Sequence, residues 1–386
     1  MRIGIPKEIL AKEKRVAATP ETVLKYIELG FEVAVETSAG KGILISDADY
    51  ENAGAKLVAD PQQLFAESDM ILKVKQPVYN EGQKAHEVEM LREGSILITF
   101  LHPAAPQNHE MIKRLRDKKI TALTMDGIPR ISRAQPMDAL SSMSAVTGYK
   151  AVIMAANQFP KFIPMMGTAI GMIKPARFLV IGAGVVGLQA VATAKRLGAV
   201  VEALDIRQNA CTEAESLGAK VVQFDIPQEL AVGQGGYAQS LESDLLEIER
   251  NLIAPRLEEA DVAILSALVP GEVAPILITE SMVAAMKPGS VIMDISIDQG
   301  GNCAITEPGR FEQKSGVEIC GIQNIPGRMA VHASWLYANN IYAYVANLFK
   351  NGSQQLDLED EIVKSSLVTH QSVIHHTGTL KAMSEA

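Results

Sequence analysis

Apolar residues along this chain fall into short continuous runs, separated by longer stretches in which apolar positions recur at helical spacing. Short runs of Val, Ile and Leu bounded by turn residues read as strands buried on both faces, and the stretches between them as amphipathic helices. The first run, Ile3–Ile5, is followed by Thr19–Pro20, a helix cap with proline in the first turn. That helix ends at Leu29, where Gly30 stops it. Further strands are expected at Phe31–Val35, Met70–Val74, Ser95–Phe100 and Ile120–Met125, with a helix over Asn108–Asp117. The alternation implies a parallel sheet with helices on both faces.

From Asp126 the rhythm changes. A loop, Gly127–Pro136, leads into a long helix through Met143, Tyr149 and Met154, which reads as the crossing into a second domain. Strands resume at Phe178–Ile181, Val200–Leu204, Lys220–Phe224, Val262–Leu265, Val291–Ile295 and Val317–Cys320. Between Asp225 and Ser243 the alternation lapses, and an irregular stretch of that length is usually functional or mobile. A closing helix, Ser334–Lys350, is expected to pack back on the first domain. A polar hinge (Asn351–Ser353) and a polar tail with His370, His375 and His376 follow, and these histidines are given no metal or catalytic role.

Composition narrows the function classes. The 386 residues are 47% hydrophobic, enough for two or three domains with large cores, and only 5% aromatic. A formal charge of −9 without any Lys/Arg cluster argues against a nucleic-acid surface. Cys211, Cys303 and Cys320 form no C-x-x-C pair, so a reduced cytoplasmic setting is expected, with neither disulfide nor bound metal. The chain enters a strand almost at once, leaving no room for a signal peptide. The longest apolar stretch, Ala151–Ile173, is broken by Lys161, so direct membrane insertion is not expected.

The chemistry concentrates at Phe178–Ala190. Here Gly182, Gly184 and Gly187 hold the G-x-G-x-x-G spacing between a strand and a helix, and Asp205 ends the next strand. Gly182 permits a tight turn, Gly184 lets a pyrophosphate approach the backbone, and Gly187 lets helix and strand pack closely. Val185 and Val186 open the helix whose free amides would face the pyrophosphate. Asp205, with Ile206 and Arg207 after it, would meet the adenosine ribose. A carboxylate there favours NAD over NADP, although Arg207 could accommodate a phosphate. The expected fold class is therefore α/β, with two Rossmann-like domains, each a mostly parallel sheet with helices on both faces, and a cleft between them. Residues 1–136 plus 327–386 form the first, and 137–326 the NAD-binding second.

Several blocks, spread over nearly the whole chain, resemble the family containing alanine dehydrogenase and the NAD(H)-binding domain of proton-translocating NAD(P) transhydrogenase. Arg2–Glu8 and Glu13–Ala17 are similar to both branches. Pro129–Gln135, Met137–Ser141, Gly235–Ala238, Ala267–Gly271, Pro275–Thr279, Gly300–Cys303 and Glu307–Gly309 are similar to the transhydrogenase branch. The resemblance implies that Arg130, Ile131, Ser132, Gln135, Asp138 and Ser141 hold the nicotinamide end of NAD(H). It implies that Leu268 lines the nucleotide site and that the Tyr237 loop closes over it. It also implies a homodimer, with NADP-binding and membrane-spanning transhydrogenase subunits as partners at the inner face of the membrane.

Other positions resemble alanine dehydrogenase instead. Lys75, His102, Asp298 and Asn324 match its substrate-binding and catalytic residues, and Arg15 is common to both branches. Arg15 and Lys75 would clamp a carboxylate, while His102 and Asp298 would move protons as amine becomes imine. Two functions lead: hydride transfer from NADH to NADP+ on a partner subunit, or a soluble NAD-dependent dehydrogenase of an alanine-type L-amino acid. The crowded polar set disfavours a third, a nucleotide-sensing module without chemistry.

Overall fold

The computed structural model describes residues 1–224, 226–233, 238–269, 273–350 and 356–384. The chain divides into two compact units, Met1–Met143 with Pro326–Ala386, and Ser144–Ile325. The sequence boundary at 136/137 falls seven residues before the structural one, which lies inside the long helix Ala139–Gln158.

The first unit is built on β1 (Arg2–Ile5), β2 (Glu32–Glu36), β3 (Lys56–Val58), β4 (Met70–Leu72), β5 (Ile96–Thr99) and β6 (Thr121–Thr124). They lie in the parallel order β3-β2-β1-β4-β5-β6, the doubly wound arrangement. Helix α1 (Pro20–Glu28) is capped as the sequence predicts, with Thr19 and Thr22 bonding each other's backbone amides. The closing helix, Ala330–Leu348, belongs to this unit, where the Tyr337 hydroxyl donates to the Lys73 carbonyl at 2.7 Å.

The tail differs from the polar terminus expected. Leu367–His370 pairs antiparallel with β6 and continues into Val373–Ile374, extending the sheet to eight strands. Leu367, Val368 and Thr369 are buried, so this short run adds to the core although His370 and His375 flank it. His370 takes a structural place beside Thr121, with Nδ1 and Oγ1 3.0 Å apart.

The second unit holds β7 (Arg177–Ile181), β8 (Val200–Leu204), β9 (Lys220–Val222), β10 (Val262–Leu265), β11 (Val291–Asp294), β12 (Phe311–Lys314) and β13 (Val317–Cys320). Their order is β9-β8-β7-β10-β11-β13-β12, parallel except for the edge strand β12. Alternate residues of β7 feed opposite layers: Phe178 and Val180 join one core, Leu179 and Ile181 the other. Full burial of such side chains contributes about 1.5–3 kcal/mol each, so the continuous apolar run is what covered faces require. An antiparallel hairpin, Met166–Thr168 with Gly171–Ile173, interrupts the region read as helix and loop.

Candidate functional site

Strand order reverses between β7 and β10, and ligands of open α/β sheets bind at that point, beyond the strand C-termini. Only three residues, Gly182 to Gly184, join β7 to helix α2 (Val185–Arg196). Gly182 has φ +86°, and a side chain on it would meet the Ala267 backbone nitrogen at 2.7 Å. A Cβ on Gly187 would lie 1.9 Å from the Gly182 carbonyl oxygen. A Cβ on Gly184 meets only Arg207 Nη2, at 3.8 Å, so space stands open before the helix N-terminus. Val185 and Val186 are half-exposed in the first turn, whose amides lack intrahelical partners.

Three residues outside the glycine motif hold this turn in place. Ser266 Oγ donates to the Gly182 carbonyl at 2.8 Å. Asn302 accepts from the Ala267 amide and donates to its carbonyl, at 3.1 and 2.9 Å. Asp294 in turn accepts the Asn302 and Cys303 amides at 3.0–3.1 Å. Burial raises the Asp294 pKa, against the pull of those two amides. Leu268, half-buried, follows this braced pair. The Gly300–Cys303 block hinted at a constraint here, but nothing local in it names Ala267 as the partner.

Asp205 ends β8 where it was expected, yet its carboxylate is fully occupied within the chain. Ala183 N–H donates to Oδ2 at 2.7 Å, and Arg207 donates through its backbone N–H, Nε and Nη2 at 2.8–2.9 Å. A carboxylate offers about four acceptor directions, so ribose hydroxyls would exchange with Arg207 rather than fill a vacancy. Burial lowers the Arg207 pKa, but the Asp205 bonds outweigh it and the net shift is upward. The guanidinium charge is thus already countered, which disfavours a ribose 2′-phosphate. Ile206 is half-exposed beside the pair. The turn, the open space at Gly184 and this carboxylate fit an NAD-type dinucleotide.

Most of the Arg130–Ser141 block lies in the 3-10 turn Ser132–Met137 and the start of the long helix. Arg130, Ser132 and Gln135 are exposed and Ile131 half-buried. Asp138 caps the helix, accepting Ser141 N–H at 2.8 Å and Ser141 Oγ–H at 2.6 Å. Arg133, not singled out in the sequence, forms a bidentate pair with Asp360 at 2.8 and 3.1 Å. Tyr237 lies outside the described residues.

At the corresponding switch point of the first unit, between β1 and β4, a charged network takes the place of a glycine turn. Glu8 Oε1 accepts the Val74 and Lys75 amides at 2.6 and 3.3 Å. The Lys73 ammonium, fully buried, sits 2.7 Å from Glu87 and 3.5 Å from Glu8. Burial opposes that charge, but the two carboxylates prevail and raise its pKa. Burial likewise raises the Glu8 pKa, with Lys73 opposing. Arg15 is buried and bonded twice to Glu13, at 2.8 and 2.6 Å, so the expected carboxylate clamp is engaged internally.

His102 Nδ1 lies 2.9 Å from Asp126 Oδ1, and the His102 amide donates to Oδ2 at 2.7 Å. Burial would raise the Asp126 pKa, but His102 overrides it and holds it low. His102 also has φ +45°, a left-handed backbone costly for a non-glycine residue. Lys75 is half-buried in this unit. Asp298, exposed in the turn Ile295–Gln299, and Asn324, at φ +51° after β13, belong to the second unit. Among the described residues no His/Cys/Asp/Glu group could hold a metal ion, and no helix is long and apolar enough to cross a membrane.

Two doubly wound units, one with a braced glycine turn, define a dinucleotide-binding α/β protein. The family models "Alanine dehydrogenase/PNT, N-terminal domain" and "Alanine dehydrogenase/PNT, C-terminal domain" match residues 4–147 and 151–377. This chain belongs to the alanine dehydrogenase/PNT family. The first of the parts that make up NAD(P) transhydrogenase subunit alpha in Rhodospirillum rubrum is 44% identical over 379 residues, 97% of this chain and 98% of that protein. Alanine dehydrogenase of Methanococcus maripaludis is 32% identical over 99% of this chain and 96% of its own. A solved transhydrogenase from Sinorhizobium meliloti superimposes with a TM-score of 0.83 at 37% identity, covering 98% and 99% of the two chains.

Proposed function

We propose that the chain is the NAD(H)-binding component of a proton-translocating NAD(P) transhydrogenase. In this reading it hands hydride from NADH to NADP+ on a partner subunit. The observation that carries it is the end-to-end similarity to a transhydrogenase alpha-subunit chain, at 44% identity against 32% for the alanine dehydrogenase. The Asp205–Arg207 pair supports NAD as the nucleotide held. The dinucleotide supplies the hydride chemistry. The chain's residues bind and position it, so an acid–base group is not required of them. Arg130, Ile131, Ser132, Gln135, Asp138 and Ser141 would orient the nicotinamide end, and Tyr237 would close over the nucleotide. NADP-binding and membrane-spanning subunits would be the partners, with the chain peripheral at the inner face of the membrane and paired with a second copy of itself.

One observation favours a second reading. Asp126 holds the His102 Nδ1, an arrangement that orients an imidazole for proton transfer at Nε2. With Arg15, Lys75, Asp298 and Asn324, that histidine would serve an alanine-type dehydrogenase. The discriminating assay follows absorbance at 340 nm for purified chain with NAD+ and L-alanine. The transhydrogenase reading predicts NADH binding without alanine-dependent reduction. Sustained turnover that is lost in His102→Ala would replace it with the second reading.

A further inference from the structure

The turn that carries Ser132 and Gln135 is pinned from outside. Ser132–Met137 is a six-residue 3-10 helix, longer than the roughly three to four residues that such geometry usually sustains. Its side chains repeat every third residue, so the turn has three faces. Ala134 and Met137 form the buried face, and Ser132 and Gln135 the exposed one. Arg133, on the third, reaches the closing helix. There its Nη1 donates to Asn347 Oδ1 at 3.2 Å, and its two terminal nitrogens fork onto the Asp360 carboxylate at 2.8 and 3.1 Å. Asn340, two turns before Asn347 on the same helix, donates to the Pro136 carbonyl at 2.8 Å.

Asp360 is itself fixed. Its Oδ1 accepts the Ile362 amide at 2.9 Å, capping the helix Glu361–Ser366, and Lys350 stands 3.3 Å from its Oδ2. The Arg133 bonds hold its carboxyl well below the usual carboxylate range, so the pair stays charged near neutral pH. The chain before the turn leans on the same helix, since a side chain on Gly127 would collide with the Ser365 carbonyl. Fold stability alone does not account for the arrangement. Asn340 Oδ1 and Asn347 Nδ2 are buried without a partner among the described residues, and a buried amide group left unpaired is costly. Each asparagine gives one end of its amide to the turn and forgoes a bond at the other.

We propose that Arg133 is a positioning residue for the nicotinamide: its fork on Asp360 fixes the rotation of the Ser132–Met137 turn and hence the aim of Gln135 and Arg130. This role rests on the reading that the block holds the nicotinamide end. Each residue of a 3-10 helix turns the chain by about 120°, so a slip of one residue in its seat would carry Gln135 off the exposed face. A planar guanidinium bound through two nitrogens sets direction as well as distance, which a point charge does not. Arg133 touches no nucleotide in this role and acts through the backbone of the turn. The Glu361–Ser366 helix, remote in sequence, thereby becomes part of the support of the nicotinamide site.

The test is calorimetric titration of the full chain with NADH and with ADP-ribose, which lacks the nicotinamide. In Arg133→Ala, and in Asp360→Asn, which keeps an oxygen to cap Ile362, NADH should bind about tenfold more weakly and ADP-ribose within about twofold of wild type. The double variant should bind NADH no more weakly than either single one, since the two residues act as a unit. Arg133→Lys, with the charge but not the fork, should fall between. One cooperative melting transition with ADP-ribose affinity retained reports an intact fold. Arg130→Ala tests the underlying reading separately, and should also weaken NADH while sparing ADP-ribose. If Arg130→Ala shows that contrast but Arg133→Ala weakens both ligands equally, or neither, the positioning role is overturned and the nicotinamide reading stands. Additive losses from Arg133→Ala and Asp360→Asn overturn it as well. If Arg130→Ala shows no contrast, the nicotinamide reading falls and the positioning role falls with it.

Discussion

The two units share the order of their first five strands, but their crevices are built from opposite materials. In the second unit three residues connect the first strand to its helix, and glycines leave backbone and open space at the turn. In the first unit fourteen residues, Pro6 to Thr19, make the same connection. Glu8 from that longer loop bonds the backbone that follows β4, and buried Lys73 ties it to Glu87. One crevice leaves open space before a helix N-terminus, whose first amides have no intrahelical partner. The other has already satisfied its amides with its own carboxylates. A doubly wound sheet offers a place for a ligand, and the residues at the crossover decide whether one is taken.

Breaking the charged crevice should cost most. Lys73→Met leaves Glu8 and Glu87 buried without their cation and should lower unfolding free energy by about 3–5 kcal/mol in denaturant titrations. Adding Glu8→Gln and Glu87→Gln should recover much of that loss. If Lys73→Met is neutral, the network is not what holds this crevice. Breaking the glycine crevice should act on binding instead. Gly187→Val places a side chain against the Gly182 carbonyl and should weaken NADH binding by at least about 100-fold, ~2.7 kcal/mol, by calorimetry.

A smaller effect separates the units by pH. Glu249, buried in the second unit on helix Ser243–Glu259, has its pKa raised from 4.5 to about 7 by burial and by Asp205, against Arg250. Its folded value exceeds its unfolded one. The corresponding stability is therefore complete below about pH 4.5 and is lost as pH rises through 7. Glu249→Gln should match wild type in melting curves at pH 4.5 and exceed it by on the order of 2 kcal/mol at pH 8. Equal pH profiles would remove Glu249 from the account.

The smallest effect concerns Asp126, whose pKa is depressed. Its contribution is present above the unfolded value near 4 and is lost as pH falls through the lower folded value. Asp126→Asn should cost about 1 kcal/mol at pH 7 and progressively less in acid, with NADH affinity intact. A fall in NADH affinity instead would tie the pair to the nucleotide.

What was legible in the sequence is what is local in it. Gly182, Gly184 and Gly187 announce their turn by spacing, and the apolar runs of β7, β8, β10 and β11 announce strands covered on both faces. The pairings that brace these regions join distant residues: Arg133 with Asp360 across 227 positions, Glu8 with Val74 across 66, and Asn302 with Ala267 across 35. No periodicity records them. Asp138 also caps the long helix, a second use that its spacing before Ser141 permits but does not announce. Leu367–His370 escaped notice because a four-residue strand is too short to distinguish itself from a tail.

The most direct test of the contrast is calorimetric titration of the full chain with NADH. One nucleotide per chain, lost in Gly187→Val and retained in Glu8→Gln, is the predicted result. Two nucleotides per chain, or one that survives Gly187→Val, would contradict the assignment of the dinucleotide to the glycine crevice alone.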